Sequence, residues 1–225
     1  VRHVQRTRWI IPKREPLDND TIKDALMNFG ALFTSHYYTP ESFAYNPNTA
    51  AYYVPFAKGR FNHAVTIVGW DDDYPRENFT IQPPGNGAFI VKNSLSDAWG
   101  DEGYCYISYY DESLGYKDIT SFSSAESIDN YATIYQYDPL GVVETIPTKW
   151  GANMFKASAD DSISAVGFYA LIPNTHYMIS VYRNCEIGKP ESGEVVVKNF
   201  NGHTDYAGFV TIPLPTAVDV KAGKT

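Results

Sequence analysis

The chain has 225 residues, of which 44% are hydrophobic and 15% aromatic, and it carries a formal net charge of −8. This apolar content excludes wholesale disorder, and the acidic excess argues against nucleic acid or anionic lipid as the main partner. No apolar run reaches the ~18 residues that a membrane-spanning helix needs, so we expect no membrane span. The length is enough for two domains of ordinary size.

The first part of the chain follows the order strand, helix, strand. The apolar pattern predicts a strand over 4–11, a helix over 21–29 and a strand over 31–38. The helix has one apolar face, formed by Ile22, Ala25, Leu26 and Phe29. Asn19 and its acidic neighbours offer N-caps, and Gly30 suits the C-terminal end of the helix.

Two polar side chains stand at the ends of apolar runs in the middle of the chain. His63 opens the run 64–70, and Asn93 follows the run 88–91. A turn then leads into a further strand-like run, 104–109. A side chain at a strand end is held rigidly and can still reach a cleft. We therefore expect the His63 imidazole to lie against the Asn93 carboxamide.

An imidazole paired with a carboxamide suits thiol chemistry. A histidine that activates a nucleophile needs one ring nitrogen free and the other bound to an acceptor that fixes its tautomer. A neutral Asn carbonyl is sufficient for a thiol, because a thiol needs little added basicity, whereas hydroxyl nucleophiles more often use a carboxylate. Taken alone, His63 would be interpreted as a strand-end histidine and Asn93 as a turn former. Together, in this setting, they favour a catalytic pair.

Several fixed residues carry a resemblance. Asn62-His63-Ala64-Val65 with Gly69, followed by Lys92-Asn93-Ser94, Trp99-Gly100 and Gly103-Tyr104, resembles the second half, or right lobe, of a papain-like cysteine peptidase. The resemblance covers roughly residues 2–112. It implies that His63 is the catalytic histidine and Asn93 its orienter, with a protein or peptide as substrate. It also implies that Asn62 lines the cleft as a substrate-binding residue.

One position departs from the family pattern. After Asn93-Ser94 the family usually has a tryptophan that shields the His–Asn hydrogen bond from water, and this chain has Leu95. We expect the Leu95 side chain to shield the site, but to cover a smaller area than a tryptophan would. Trp99 matches the family's second tryptophan and is expected to pack under the hairpin.

The nucleophile is not found within this sequence. The family's cysteine lies ~130–150 residues before its histidine and asparagine, which places it about 70 or more residues before Val1. Cys105 lies inside a predicted strand and is expected to be a buried or half-buried thiol. Cys185 lies in the other predicted domain. Three explanations remain: a left lobe that is omitted or disordered, a processed two-chain enzyme, or a protein that has lost catalysis. We favour the first two, because a protein freed from catalysis need not keep His63 and Asn93.

Three adjacent carboxylates, at 71–73, suggest a calcium site. Calcium ligands usually alternate along the chain rather than follow one another, so a solvated turn is favoured and no metal site is predicted.

A second domain is predicted after a polar, serine-rich segment near residue 122. Turn residues separate predicted strands at intervals that are typical of a β-sandwich. These strands are 132–137, 150–156, 162–171, 177–182, 194–199 and 207–214. This half resembles, more loosely, the lectin-like domain of bacterial and archaeal surface peptidases. Some such domains bind calcium, but no ligand can be matched here, so calcium stays open and no cofactor is expected to be required.

The sequence thus predicts an α+β, mostly β fold, with a papain-like right lobe over 1–122 and a lectin-like β-sandwich over 123–225 that is cut at its C-terminus. The predicted function is proteolysis by a surface-associated or extracellular cysteine peptidase whose thiolate comes from an upstream lobe. This chain alone is then expected to be inactive. The alternative is a catalytically inert surface protein that binds carbohydrate or cell-wall glycan.

Overall fold

The computed structural model describes residues 2–137, 141–142 and 144–225. Val1, at the start of the first predicted domain, and residues 138–140 and 143 of the second lie outside the described residues. The chain divides into two compact units. The first unit is residues 7–123, and the second is residues 124–225 with residues 2–6.

The described part of the chain is mostly β with a single α-helix, as the sequence predicted. In chain order the elements are β1 (His3–Trp9), α1 (Asp20–Phe29), β2 (Leu32–His36), β3 (Tyr45–Asn46), β4 (Ala51–Tyr52), β5 (His63–Asp71), β6 (Ala88–Lys92), β7 (Tyr104–Ser108), β8 (Thr120–Glu126), β9 (Asp161–Ala170), β10 (Thr175–Arg183), β11 (Glu194–Thr204) and β12 (Gly208–Val220). A single 3-10 turn follows β5 at Arg76–Asn78.

The strands of the first unit form a sheet in the order β3-β4-β7-β6-β5-β2-β8. β4 and β7 are parallel, and the neighbours from β7 to β8 are antiparallel. The last pair lies in the polar, serine-rich segment near residue 122, where the sequence predicted the domain boundary. Ser121 pairs with Leu32 and is fully buried. A serine can occupy such a position because the ladder satisfies its backbone polar groups.

The single helix covers one face of this sheet. Ile22, Ala25 and Leu26 are buried, as the apolar period predicted. Gly30 ends the helix at φ +79°, and its N–H donates to the Leu26 carbonyl at 3.0 Å, which is a common helix termination. Asn19 occupies the N-cap position, but its side chain makes no capping hydrogen bond, contrary to expectation.

The core of the first unit lies between this helix and the sheet. Its fully buried side chains include Leu32, Ile67, Phe89, Val91 and Ile107, which come from four neighbouring strands. Burying each such side chain contributes about 1.5–3 kcal/mol. These buried side chains stabilise the central strands β5 and β6, whose neighbouring ends are His63 and Lys92.

The second unit contains two groups of paired strands. β12 pairs with β9 over 208–213 and again over 218–220, with a register shift between, and at Val210 it pairs with Arg6 of β1. β10 and β11 form a separate antiparallel pair with two register shifts. These strands confirm four of the six predicted for this half of the chain.

The other two predicted strands, 132–137 and 150–156, are wrong. Neither segment forms a strand in the described structure. The two segments meet through side chains, since the Phe155 ring stacks on Tyr137 at 4.6 Å between centroids and contacts Tyr135 at 5.9 Å. The aromatic residues of these two segments therefore pack ring on ring without strand pairing. Among the described residues, no helix is long and apolar enough to cross a membrane.

Candidate active site

Antiparallel pairing brings His63 and Asn93 to the same end of the sheet. His63 is the first residue of β5, and Asn93 follows the last residue of β6. Because Thr66 pairs with Lys92, the start of one strand lies beside the end of the other. The predicted imidazole–carboxamide contact is formed, with His63 Nε2 lying 2.9 Å from Asn93 Oδ1.

The surrounding hydrogen bonds fix which nitrogen carries the proton. The backbone N–H of Ser94 donates to Asn93 Oδ1 at 2.8 Å, so the atom there must be the carbonyl oxygen. That oxygen can only accept, and therefore Nε2 of His63 is the donor. In the neutral ring, Nδ1 is then the nitrogen that can accept a proton. This is the tautomer that a general base needs.

The turn after β6 holds Asn93 in place. Asn93 is 8% exposed, and its N–H donates to the Gly103 carbonyl at 2.9 Å. Gly100 has φ +68°, and a Cβ there would lie 2.2 Å from the Tyr104 carbonyl oxygen. Only glycine fits this close approach, which explains the Trp99-Gly100 pair that the sequence showed.

Leu95 and Trp99, the residues that the sequence compared with the two tryptophans of the family and proposed as shielding the site, differ in position. Trp99 stacks on Tyr45, with centroids 4.9 Å apart and planes 18° apart, and it packs against the core. Leu95 is 39% exposed. Trp99 therefore packs against Tyr45 and the core, and much of Leu95 faces solvent.

Asn62 is exposed, yet its carboxamide is engaged at both ends. Its Oδ1 accepts from the Tyr38 N–H at 2.8 Å, and its Nδ2 donates to the Tyr38 carbonyl at 2.9 Å. The Tyr38 ring in turn lies 5.5 Å from the His63 ring, centroid to centroid. Sequence reasoning missed Tyr38, because the contact depends on the register of β2 with β5.

A second histidine, His36, lies opposite His63 in the ladder of β2 and β5. It is 2% exposed, its ring meets Tyr52 edge-on at 5.0 Å, and neither ring nitrogen has a partner among the described residues. Burial lowers the pKa of His36 to about 4, although the Asp111 carboxylate opposes this. His36 is therefore neutral at physiological pH. The sequence alone gave no sign of this neighbour.

The two cysteines lie in different units. Cys105 pairs with Val91 inside the sheet and is 1% exposed, as predicted for a buried thiol. Burial raises its pKa to about 12, so it stays protonated at neutral pH. Cys185 belongs to the second unit, where its Sγ donates to the Pro190 carbonyl at 3.3 Å.

Two carboxylates of the acidic segment 71–73, Asp71 and Asp72, accept hydrogen bonds from other residues of the chain. Asp72 binds Lys23 Nζ at 2.5 Å and accepts from the Tyr109 hydroxyl at 2.8 Å. The hydrogen bond from Lys23 lowers the pKa of Asp72. Asp71 accepts from the Asp73 N–H at 2.9 Å. Within the described ranges, no three His, Cys, Asp or Glu side chains are grouped closely enough to hold a metal ion.

Comparison with known families agrees with this geometry. Residues 4–125 match the papain family cysteine protease, and residues 134–225 match the lectin-like domain. The chain therefore belongs to the papain family of cysteine proteases, and a lectin-like domain follows the peptidase region. This confirms the family and the mostly β fold that the sequence predicted.

The similar proteins include a mammalian cathepsin and a clostridial protease that also has a lectin-like domain. Cathepsin Q of Rattus norvegicus is 26% identical over 119 residues, which cover 53% of this chain and 30% of cathepsin Q. The clostridial cysteine protease Cwp84 after propeptide cleavage aligns with a TM-score of 0.78 at 25% identity, over 99% of this chain and 54% of that one. The cysteine protease and lectin-like domains of Cwp84 from Clostridium difficile, a surface layer associated protein, align with a TM-score of 0.75 at 23% identity, over 99% of this chain and 48% of that one. The chain thus spans less than a third of cathepsin Q and about half of each Cwp84 chain.

Proposed function

We propose that this chain supplies the base and its orienter to a cysteine peptidase that cleaves proteins or peptides. His63 takes the proton of a cysteine thiol, returns it to the leaving amine and later activates water. Asn93 holds the imidazole so that Nδ1 faces the thiol. The observation that supports this most strongly is the 2.9 Å hydrogen bond between His63 Nε2 and Asn93 Oδ1.

The thiolate and the oxyanion-hole donors come, in this proposal, from a lobe of the protein that this chain does not contain. Cys105 cannot supply the thiolate, because it is buried inside the sheet. The chain by itself is accordingly inactive. Asn62 remains a proposed substrate-binding residue, because it is exposed and lies next to His63 in the chain.

A second proposal concerns domain organisation and location. We place the domain boundary near residue 122, which is supported by the division into compact units at residue 123. The lectin-like domain would bind cell-wall or other glycans and keep the peptidase extracellular or at the cell surface. The surface layer association of Cwp84 motivates this location.

The peptidase proposal is tested on the full-length protein in reducing buffer. A thiol-directed epoxide inhibitor should form one covalent adduct and abolish cleavage of a protein substrate. Absence of both adduct and cleavage would refute the peptidase. The alternative, an inert surface protein that binds carbohydrate, would then gain support if a glycan array bound the same full-length protein.

Residues 134–225 match the lectin-like domain, so the glycan array also tests glycan binding independently of the peptidase proposal. The full-length protein should bind at least one class of cell-surface or cell-wall sugar, and sugar in solution should compete. Silence across the array would remove the glycan proposal and leave the peptidase proposal unaffected.

A further inference from the structure

The ring of Tyr38 lies directly against the ring of His63. Their centroids are 5.5 Å apart and their planes are inclined by 49°. Tyr38 follows β2, whose last residue, His36, pairs with His63. The pairing of β2 with β5 thus places an aromatic side chain beside the imidazole. The segment that carries this side chain contains none of the residues on which the resemblance to the papain family rests.

Tyr38 is fixed from several sides. The Asn62 carboxamide binds its N–H and its carbonyl, at 2.8 and 2.9 Å. Tyr52 stacks on its ring at 6.1 Å, with planes 16° apart. The Tyr52 hydroxyl also accepts from the Thr39 N–H and donates to the Tyr37 carbonyl, both at 3.0 Å. Both the backbone and the ring of Tyr38 are therefore held.

The residue expected to shield the His–Asn pair is itself partly exposed. Leu95 is 39% exposed, while Asn93 is only 8% exposed. The His63–Asn93 hydrogen bond is part-buried, although 39% of Leu95 is exposed. An aromatic ring against the imidazole excludes water and restricts rotation of the ring about its Cβ–Cγ bond, since a tilted ring pair has a preferred geometry.

We propose that Tyr38 is a positioning residue for His63, held by Asn62 and Tyr52, which keeps Nε2 turned toward Asn93 and limits water at that hydrogen bond. Its catalytic consequence rests on the proposed peptidase function. Its effect on the imidazole does not, because the His63–Asn93 pair is complete within this chain.

The first experiment measures the imidazole directly. The chain, labelled with 15N-histidine, is observed by NMR, and solvent exchange of the His63 Nε2 proton is compared in wild type, Tyr38→Ala and Tyr38→Phe. Tyr38→Ala should speed exchange by about fivefold or more, since a hydrogen bond becomes open to competition by water. Tyr38→Phe keeps the ring and should behave as wild type.

The matched control is Tyr37→Ala, which removes the neighbouring half-buried tyrosine, whose ring lies by the Arg60 guanidinium at 5.7 Å. Its exchange rate should stay at the wild-type value. Unchanged exchange in Tyr38→Ala would overturn the proposal. So would equal acceleration in Tyr37→Ala, because the effect would then be a general loosening of the fold.

The second experiment measures turnover in the full-length protein. Tyr38→Ala should lower kcat by about tenfold at nearly unchanged KM, because the base is misplaced while substrate contacts remain. Tyr38→Phe should restore the rate. A raised KM with unchanged kcat would overturn the positioning role. If the wild-type full-length protein shows no turnover, the peptidase proposal fails, and the exchange measurement still decides the role of Tyr38.

Discussion

His63 donates its Nε2 proton to Asn93 Oδ1 across 2.9 Å, and the same oxygen accepts the Ser94 N–H at 2.8 Å. Two donors on one carbonyl oxygen leave no freedom for the carboxamide to flip. The imidazole tautomer is therefore set by the backbone of the turn after β6. The folded backbone therefore orients the His63 imidazole through Asn93.

Removing this orienter should slow catalysis without unfolding the protein. In the full-length protein, Asn93→Ala should reduce kcat by about tenfold to a hundredfold, because a hydrogen bond to a group that becomes charged is lost. Steady-state kinetics with a peptide substrate measures this. Asn28→Ala, at an exposed asparagine of α1 that bonds Asp24, is the control and should keep wild-type kinetics. Equal rates for both variants would contradict the role given to Asn93.

His36 should make the first unit less stable in acid. The unfolded chain protonates this residue below its ordinary pKa of about 6.5, whereas burial lowers the pKa in the folded chain to about 4. The unfolded state therefore binds more protons between these values, and stability falls as the pH drops through that window. From pH 7 to pH 4 the loss due to His36 should be on the order of 3 kcal/mol.

The measurement is urea unfolding at both pH values, with wild type compared to His36→Leu. A Trp150→Phe background restricts the tryptophan signal to Trp9, Trp70 and Trp99, of which the last two lie in the core region of the first unit. His36→Leu should lose less stability on acidification than wild type. Identical losses would mean that burial does not lower the pKa of His36.

The two cysteines should differ sharply in reactivity. Cys105 is 1% exposed, and burial raises its pKa to about 12, so the thiolate is scarce. Iodoacetamide at pH 8 should modify the native chain at the half-buried Cys185 and leave Cys105 intact, as peptide mass spectrometry can show. Cys185→Ser should remain unlabelled until urea is added. Labelling of native Cys105 would contradict its place in the core.

Gly100 should tolerate no side chain. Gly59→Ala is a matched control, because Gly59 also has a left-handed φ, of +72°, but a Cβ there meets nothing within 4 Å. That control should cost about 1 kcal/mol through backbone strain alone. Gly100→Ala adds a clash with the Tyr104 carbonyl and should cost on the order of 2–4 kcal/mol. Urea unfolding compares them, and equal costs would mean that the turn relaxes freely.

Much of the first unit followed from sequence patterns. The helix was predictable because its apolar residues recur with the helical period and glycine follows it. β5, β6 and β7 were predictable because they are apolar runs bounded by turn residues. His63 and Asn93 were found because their separation from fixed glycines and Trp99 resembles a family pattern.

Other features depend on contacts between distant segments. β3 and β4 are two residues each, too short for any periodicity. The strand at 120–126 is rich in serine, so neither the strand nor the burial of Ser121 within it could be predicted from composition; both depend on pairing with β2. The contact of Tyr38 with His63 depends on the register of β2 with β5, and so does the position of His36. This register cannot be deduced from residue spacing along the chain.

The most direct test of the central claim is the activity of the full-length protein after removal of the proposed base. His63→Ala should lower cleavage of a protein substrate by about a thousandfold or more and abolish adduct formation with the epoxide inhibitor. His176→Ala, at an exposed histidine of the second unit, should retain wild-type cleavage. Cleavage by His63→Ala at the wild-type rate would contradict the assignment of His63 as the catalytic base.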